Sequence, residues 1–425
     1  MNKLFKNEYI FSVFTKILMV FIGFAHSIVI ARFLGADLKG VMTSVQSIVN
    51  IIAIIITFGI HEAYPFYRKK YGKEAFLSPY MTMVVTLHII YLMVGLVAAI
   101  ILRNYGFIVM FSCILAPISG YAIITGYVCL VEYPQQRNLA FLIITISETI
   151  FVGGLYIITK SNYQWLFVLL VFSDLLKSLY FTYKIKFKFY LKSLNRRFVM
   201  EIFKFGFFPM IALLMTSLNY KIDVIMLNLS NNVSMAQIGV YSIGVALADK
   251  TVYIPDAIKE ILLSKLAKGK KEDEVARATR MCFPISIAMV IAIILMGAPL
   301  INTLYGGDYA GAYSVTIICV FGTAVMVFFK MISQYNVVNN KQILNVIMLS
   351  ISVIINIILN IIFIPKYNII GAAISSVIGY LVCATVFIIY FSKVSNISIR
   401  NVVMLNKEDI SLITKFLKKK KNQDC

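Results

Sequence analysis

The sequence predicts an all-α integral membrane protein with twelve transmembrane helices in two pseudo-symmetric six-helix bundles. Three observations predict it. Of 425 residues, 60% are hydrophobic and only 14% charged, with a mean hydropathy of +0.85, whereas soluble domains carry about 45–50% apolar and about 25% charged residues. The apolar runs are long and continuous, unlike the alternating segments of a membrane β-barrel. Polar positions of the first half recur in the second.

A hydropathy window places spans near 9–31, 41–60, 80–102, 106–130, 139–159, 163–183, 206–229, 237–262, 281–303, 312–337, 343–364 and 370–391. The first follows Lys3 and Lys6 as a signal peptide would, but stays apolar to Ile30 and lacks a small-residue cleavage site; it reads as a retained helix. The eighth carries several charges. Four regions follow: a bundle at 1–183, a basic cytoplasmic linker at 184–205, a second bundle at 206–391 and a basic cytoplasmic tail at 392–425.

Basic residues set the orientation. Arg68, Lys69, Lys70 and Lys73 share one loop, and 184–205 and the tail are rich in Lys and Arg. Such loops stay cytoplasmic, so both termini are expected there. The net charge of +21 points to anionic lipid head groups and not to nucleic acid. The six cysteines form no C-x-x-C pair, so neither disulfides nor a zinc site is expected. No cofactor is expected, and the phosphate-binding glycine loop that ATP drive would need is missing.

The repeat lies at an offset of 199. Gly40, Thr43, Ser47, Asn50, Thr57 and His61 match Gly239, Ser242, Ala246, Asp249, Asp256 and Glu260. Steps of three, four and seven put each set on one helix face. Tyr105-Gly106 and Tyr305-Gly306 recur at 200. Parallel repeats are a transporter architecture. The polar stripes have two readings, interhelical hydrogen bonding or the lining of a path.

Ionisable groups inside spans cost about 2.5–3.5 kcal/mol or more and so face a cavity or a partner. The segment LLMTSLNYKIDVIMLNL holds Lys221 and Asp223, which point about 200° apart at i and i+2 and cannot pair; which of the two sides is wet stays open. Lys16, Lys221, Lys250 and Lys330 would make a positive lumen attractive to a diphosphate. Asn50 lies on the stripe of span two. Asp223 and Asp249 could compete for those cations and so couple an ion, and Glu148 is either a hydrogen-bonding group or a proton relay. Asp174 and Lys177, at i and i+3, are read as neutralising each other. Pro117, Pro209, Pro255 and Pro284 are hinges or static kinks.

IARFLGADLKGV, QIGVYSIGVALADKTVYIPDAI, PLINTLYGGDYAGA and NIILNIIFIPKYNIIGAAISSVIGY occur in this order. Together they resemble the polysaccharide-transporter, or oligosaccharide flippase, family of the multidrug/oligosaccharidyl-lipid/polysaccharide exporter superfamily, across nearly the whole chain. The resemblance implies a V-shaped pair of bundles around a central cleft, with no enzymatic activity. It implies translocation of undecaprenyl-diphosphate-linked oligosaccharide across a bacterial cytoplasmic membrane for O-antigen, capsule or exopolysaccharide, driven by a proton or sodium gradient, with a polysaccharide polymerase as a candidate partner. Arg32 matches the family's Arg after helix one, and Asp223 its acidic position on helix seven. A cation-coupled multidrug exporter and a polytopic glycan polymerase are the competing readings.

Overall fold

The computed structural model describes residues 8–267, 272–339, 341–406 and 409. The side chain of Lys16, residues 269–271 of the charged loop before the ninth span, and tail residues 410–425 lie outside the described residues. Hydrocarbon offers backbone groups no water, so apolar segments must close their own hydrogen bonds. Every element among the described residues is accordingly helical.

Helix α1 (Glu8–Thr57) bends at Gly35, whose φ of 70° and ψ of 176° break the helical path. α2 (Ile60–Tyr71), α3 (Lys73–Ile101), α4 (Phe107–Glu132), α5 (Pro134–Ile158) and α6 (Tyr163–Ile185) follow. α7 (Arg196–Leu229) starts ten residues before the span expected at 206, because Asn195 caps it by accepting from the Arg197 N–H at 2.9 Å. The basic linker is therefore half helix.

The expected single span at 237–262 is broken. α8 (Met235–Ala248) passes through a 3₁₀ turn at Asp249–Val252 into α9 (Tyr253–Ala267). Pro255 has no N–H to offer the Thr251 carbonyl one turn back, and the Ser286 hydroxyl donates to that carbonyl at 3.4 Å. Thr251 Oγ1 and Thr323 Oγ1 both donate to the Ala248 carbonyl, at 2.9 and 3.2 Å. α10 (Glu272–Leu300), α11 (Ala312–Val338), α12 (Gln342–Ser395) and the short α13 (Ile399–Val403) complete the chain. α12 bends at Asn368, where φ is 50°.

Nine stretches among the described residues are long and apolar enough to cross a membrane. The stretches holding α1 and α12 each contain two spans across their bends, and α8–α9 adds the last, which makes twelve. The duplication shows in the element lengths. α3 and α10 are both 29 residues and start at 73 and 272, an offset of 199. Gly106 and Gly306 both have positive φ, 103° and 99°, so the two Tyr-Gly pairs make the same left-handed turn.

The chain forms two compact units. The N-terminal unit comprises 1–240 with 304–308. It has one apolar cluster around Tyr64, Phe76, Tyr80 and Phe181 and another around Phe33, Val45, Leu115 and Leu169. Glu132 ties α2, α3 and α4 at one end; its buried carboxylate accepts from Arg68 at 2.6 Å, Tyr64 at 3.0 Å and lies 2.9 Å from Lys73. The C-terminal unit comprises 241–303 with 309–425. Its buried Asn336 donates to Asn345 at 2.6 Å and accepts from Tyr390 at 2.9 Å. Arg280 anchors the segment after α12 through Asp409 at 2.7 Å and through the Asn401 carbonyl. The five described cysteines are free thiols.

Candidate functional site

A polar cavity of about 280 Å³ opens among the apolar helices of the N-terminal unit. Val45, Leu115 and Leu169 of the second cluster form one wall. Against them stand Gln46 from α1, Ser119 from α4, Glu148 from α5 and Asp174 and Lys177 from α6. Glu148 is buried, and its Oε2 lies 3.7 Å from His26 Nε2. The other ring nitrogen of His26 meets Thr149 Oγ1 at 2.9 Å. Asp174 accepts from Ser119 and, at 3.2 Å, from Lys177. A second cavity of about 400 Å³ shares Gln46, Ser119, Asp174 and Lys177 and adds Asn50, His61, Tyr127 and Arg137. Hydrogen-bonding and ionisable groups thus run from His26 to Arg137 through the interior of one bundle.

The structure distributes the expected site residues unevenly. Glu148 and Asn50 line the cavities. Asn50 Oδ1 also accepts from Ser217 Oγ at 2.5 Å, which ties α1 to α7. Lys221 is exposed and Asp223 only 3% exposed, so the lysine takes the open side of α7 and the aspartate packs inward. Lys39 of α1 lies within electrostatic reach of Lys221 of α7. Arg32 Nε donates to the Leu304 carbonyl at 2.7 Å, and Ser27 meets the Tyr305 hydroxyl at 2.9 Å; the family-like Arg thus holds the 304–308 turn. The backbone of Lys16 lies in α1.

In the C-terminal unit, Lys250 donates to the Tyr253 hydroxyl at 2.6 Å, and its ammonium lies 4.5 Å from that ring's centroid. Asp249 begins the 3₁₀ break. Lys330 donates to both oxygens of Asp256, at 2.7 and 2.9 Å, with Lys259 3.5 Å away. An expected cation of the substrate path is thus held by a carboxylate of α9.

His26, Lys39, Arg137 and Asp256 were not singled out as site residues from sequence. The repeat alone carried a signal for Asp256, which sits on the second polar stripe. Asp174 and Lys177 do pair as their spacing suggested, and the pair lines both cavities. Among the described residues, no three His, Cys, Asp or Glu side chains group as a metal site.

A sequence profile of the polysaccharide biosynthesis protein family matches residues 29–314, and the chain belongs to that family. No curated protein matches it. Among solved structures, the chain is similar to an inward-facing multidrug resistance MATE family transporter of the MOP superfamily, with a TM-score of 0.69 and 14% identity over 88% of this chain and 94% of that one. It is equally similar to the lipid II flippase MurJ in an inward closed conformation, with a TM-score of 0.69 and 17% identity over 93% and 88%. A MOP superfamily transporter from Pyrococcus furiosus follows at 0.57 and 15% over 91% and 94%. The chain is a multi-pass membrane protein whose fold is shared with these transporters, and the family connects it to polysaccharide biosynthesis.

Proposed function

We propose that the protein is a flippase for undecaprenyl-diphosphate-linked oligosaccharide repeat units, moving them from the cytoplasmic to the outer leaflet by alternating access. The observation that carries the reading is the polar, charged cavity system inside an otherwise apolar bundle. Hydrated charge at such depth is costly unless it serves a path, and the family supplies polysaccharide as the context. The fold is as close to a multidrug transporter as to a lipid II flippase; family membership favours the glycan.

In this reading the bacterial cytoplasmic membrane is the site of action, with both termini cytoplasmic. Lys16, Arg32, Lys221, Lys250 and Lys330 receive the anionic head group as point charges or forked donors, and Asn50 contributes an amide. Each anion already on a cation, such as Asp256 on Lys330, must yield before a phosphoryl oxygen takes its place. Coupling to a cation gradient is assigned to Glu148, Asp223 and Asp249, with His26 at ion-pair distance, 3.7 Å, from Glu148. The polymer served is O-antigen, capsule or exopolysaccharide, and a polymerase consumes the product.

Deletion of the encoding gene, followed by mass analysis of the carrier lipids, tests the proposal. Diphosphate-linked oligosaccharide should accumulate on the cytoplasmic side and clear on complementation. Normal carrier-lipid profiles together with drug hypersensitivity would turn the assignment to multidrug export, and polymerising activity of the purified protein would turn it to an enzyme.

A further inference from the structure

The larger cavity of the N-terminal unit has an excess of positive charge. Arg137, in the first turn of α5, and Lys177, about two turns from the end of α6, both lie over the ring of Phe141, 4.7 and 5.6 Å from its centroid. Asp174 satisfies Lys177. No carboxylate among the described residues pairs with Arg137, and its Nε is buried without a hydrogen-bond partner. His61, 6% exposed, lines the same cavity, and its Nδ1 is also buried and unpartnered. Buried donors and acceptors are normally satisfied, and each exception asks for an explanation.

Resting on the flippase reading, we infer that this cavity is a subsite for an acidic sugar of the transported glycan, a hexuronate whose carboxylate meets Arg137. Two cations against one carboxylate leave about one unit of charge, which matches a monoanionic carboxylate better than a dianionic phosphoryl group. A guanidinium presents two parallel N–H donors to a carboxylate. The volume of about 400 Å³ exceeds what a lone oxyanion needs and falls within the range of about 300–1,000 Å³ for small-molecule sites. Gln46 and Asn50 supply amides for sugar hydroxyls. Tyr127 gives its hydroxyl to Glu62 at 2.8 Å, so its ring, with that of Phe141, is what it offers the sugar.

The full-length protein in lipid nanodiscs, titrated with glucuronate, glucose and inorganic phosphate and read by saturation-transfer NMR, tests this. Glucuronate should bind at least about tenfold more tightly than glucose, because a half-buried cation rewards the charge. Arg137→Gln and Lys177→Gln should each weaken glucuronate binding by about tenfold, and Arg137→Lys by less, since it keeps charge but loses the fork. Melting temperatures within about 2 °C of wild type would exclude unfolding as the cause; should Arg137→Gln not fold, Arg137→Lys and Lys177→Gln carry the test. Equal binding of glucose, tighter binding of phosphate, or indifference to these substitutions overturns the inference. The glycan accumulating in the deletion strain should contain a hexuronic acid, and a neutral glycan also overturns it. Accumulation of carrier-linked glycan without glucuronate binding sinks the subsite alone; binding without accumulation sinks the flippase reading alone.

Discussion

Gly40 and Gly239, 199 residues apart and equivalent in the sequence repeat, pack against one another backbone to backbone. A methyl group on Gly40 would collide with the Met235 carbonyl, and one on Gly239 with the Ala36 carbonyl. Backbone atoms cannot rotate away as a side chain can. Small residues at such crossings let membrane helices approach closely, and here the first half of the repeat meets the beginning of the second.

Gly40→Ala and Gly239→Ala are each expected to cost about 1–3 kcal/mol through overpacking and to lower the melting temperature of the detergent-solubilised protein. Gly153→Ala, which meets nothing within 4 Å, should be neutral or slightly stabilising, since Ala in a helix is better than Gly by about 0.5–1 kcal/mol. Fluorescence-detected size-exclusion after a heat step measures all three. Equal melting temperatures would show that the helices can separate at this crossing without loss.

Lys221 and Asp223 should part company on mutation. Lys221 is exposed and Asp223 buried. On the proposed function, Lys221→Ala is expected to leave folding unchanged and to lower export of the glycan. Asp223→Ala is expected to reduce the yield of folded protein, because a buried carboxylate is tolerated only with compensating interactions, and removing a group that others depend on costs about 1–3 kcal/mol. Yield and surface polymer, measured on the same cultures, separate the two effects.

At the Glu132 cluster the buried partner is the anion, while the side chains of Arg68 and Lys73 are more than a third exposed. Removing a cation therefore strands more than removing the carboxylate. Arg68→Met should destabilise by about 1–3 kcal/mol, and adding Glu132→Gln should recover part of the loss, since the stranded charge disappears. A double-mutant cycle of melting temperatures checks the sign.

Asp409 gives a pH dependence. Burial alone would raise its carboxyl, but hydrogen bonds from Arg280 and the Asn406 N–H, with the Arg277 charge, hold it below its ordinary value. A depressed folded pKa contributes stability above the unfolded value of about 3.9 and loses it as the pH falls through the folded value. Docking of α13 should therefore be steady from about pH 8 to about pH 5 and weaken below about pH 4. Hydrogen exchange at Ile399–Val403 reads this directly. Asp409→Asn should show the weakened protection already at neutral pH.

Hydropathy and the repeat make much of the fold legible in the sequence. Twelve spans, the glycine pair at 40 and 239 and the turns at 106 and 306 all follow from apolar run length and offset. The break at 249–252 is less visible, because Pro255 reads as a hinge or a static kink within one span and its effect depends on Ser286 and Thr323 from other helices. The site was only partly legible. Glu148 and Asn50 stood out by depth or by stripe. Arg137 sits in the first turn of α5, where a basic residue reads as loop charge, and Lys177 reads as satisfied by Asp174. That Phe141 gathers both is a tertiary fact no spacing rule contains.

The offset between the halves is not constant. α3 and α10 begin 199 residues apart, α4 and α11 205, and α5 and α12 208. The helices themselves have hardly changed length, with α4 at 26 residues and α11 at 27. Bilayer thickness acts as a ruler that edits every span to one measure, and drift since the ancestral doubling has collected in the turns. Those turns, between α3 and α4 and between α10 and α11, are where a reporter peptide can be spliced with least harm to what lies between them.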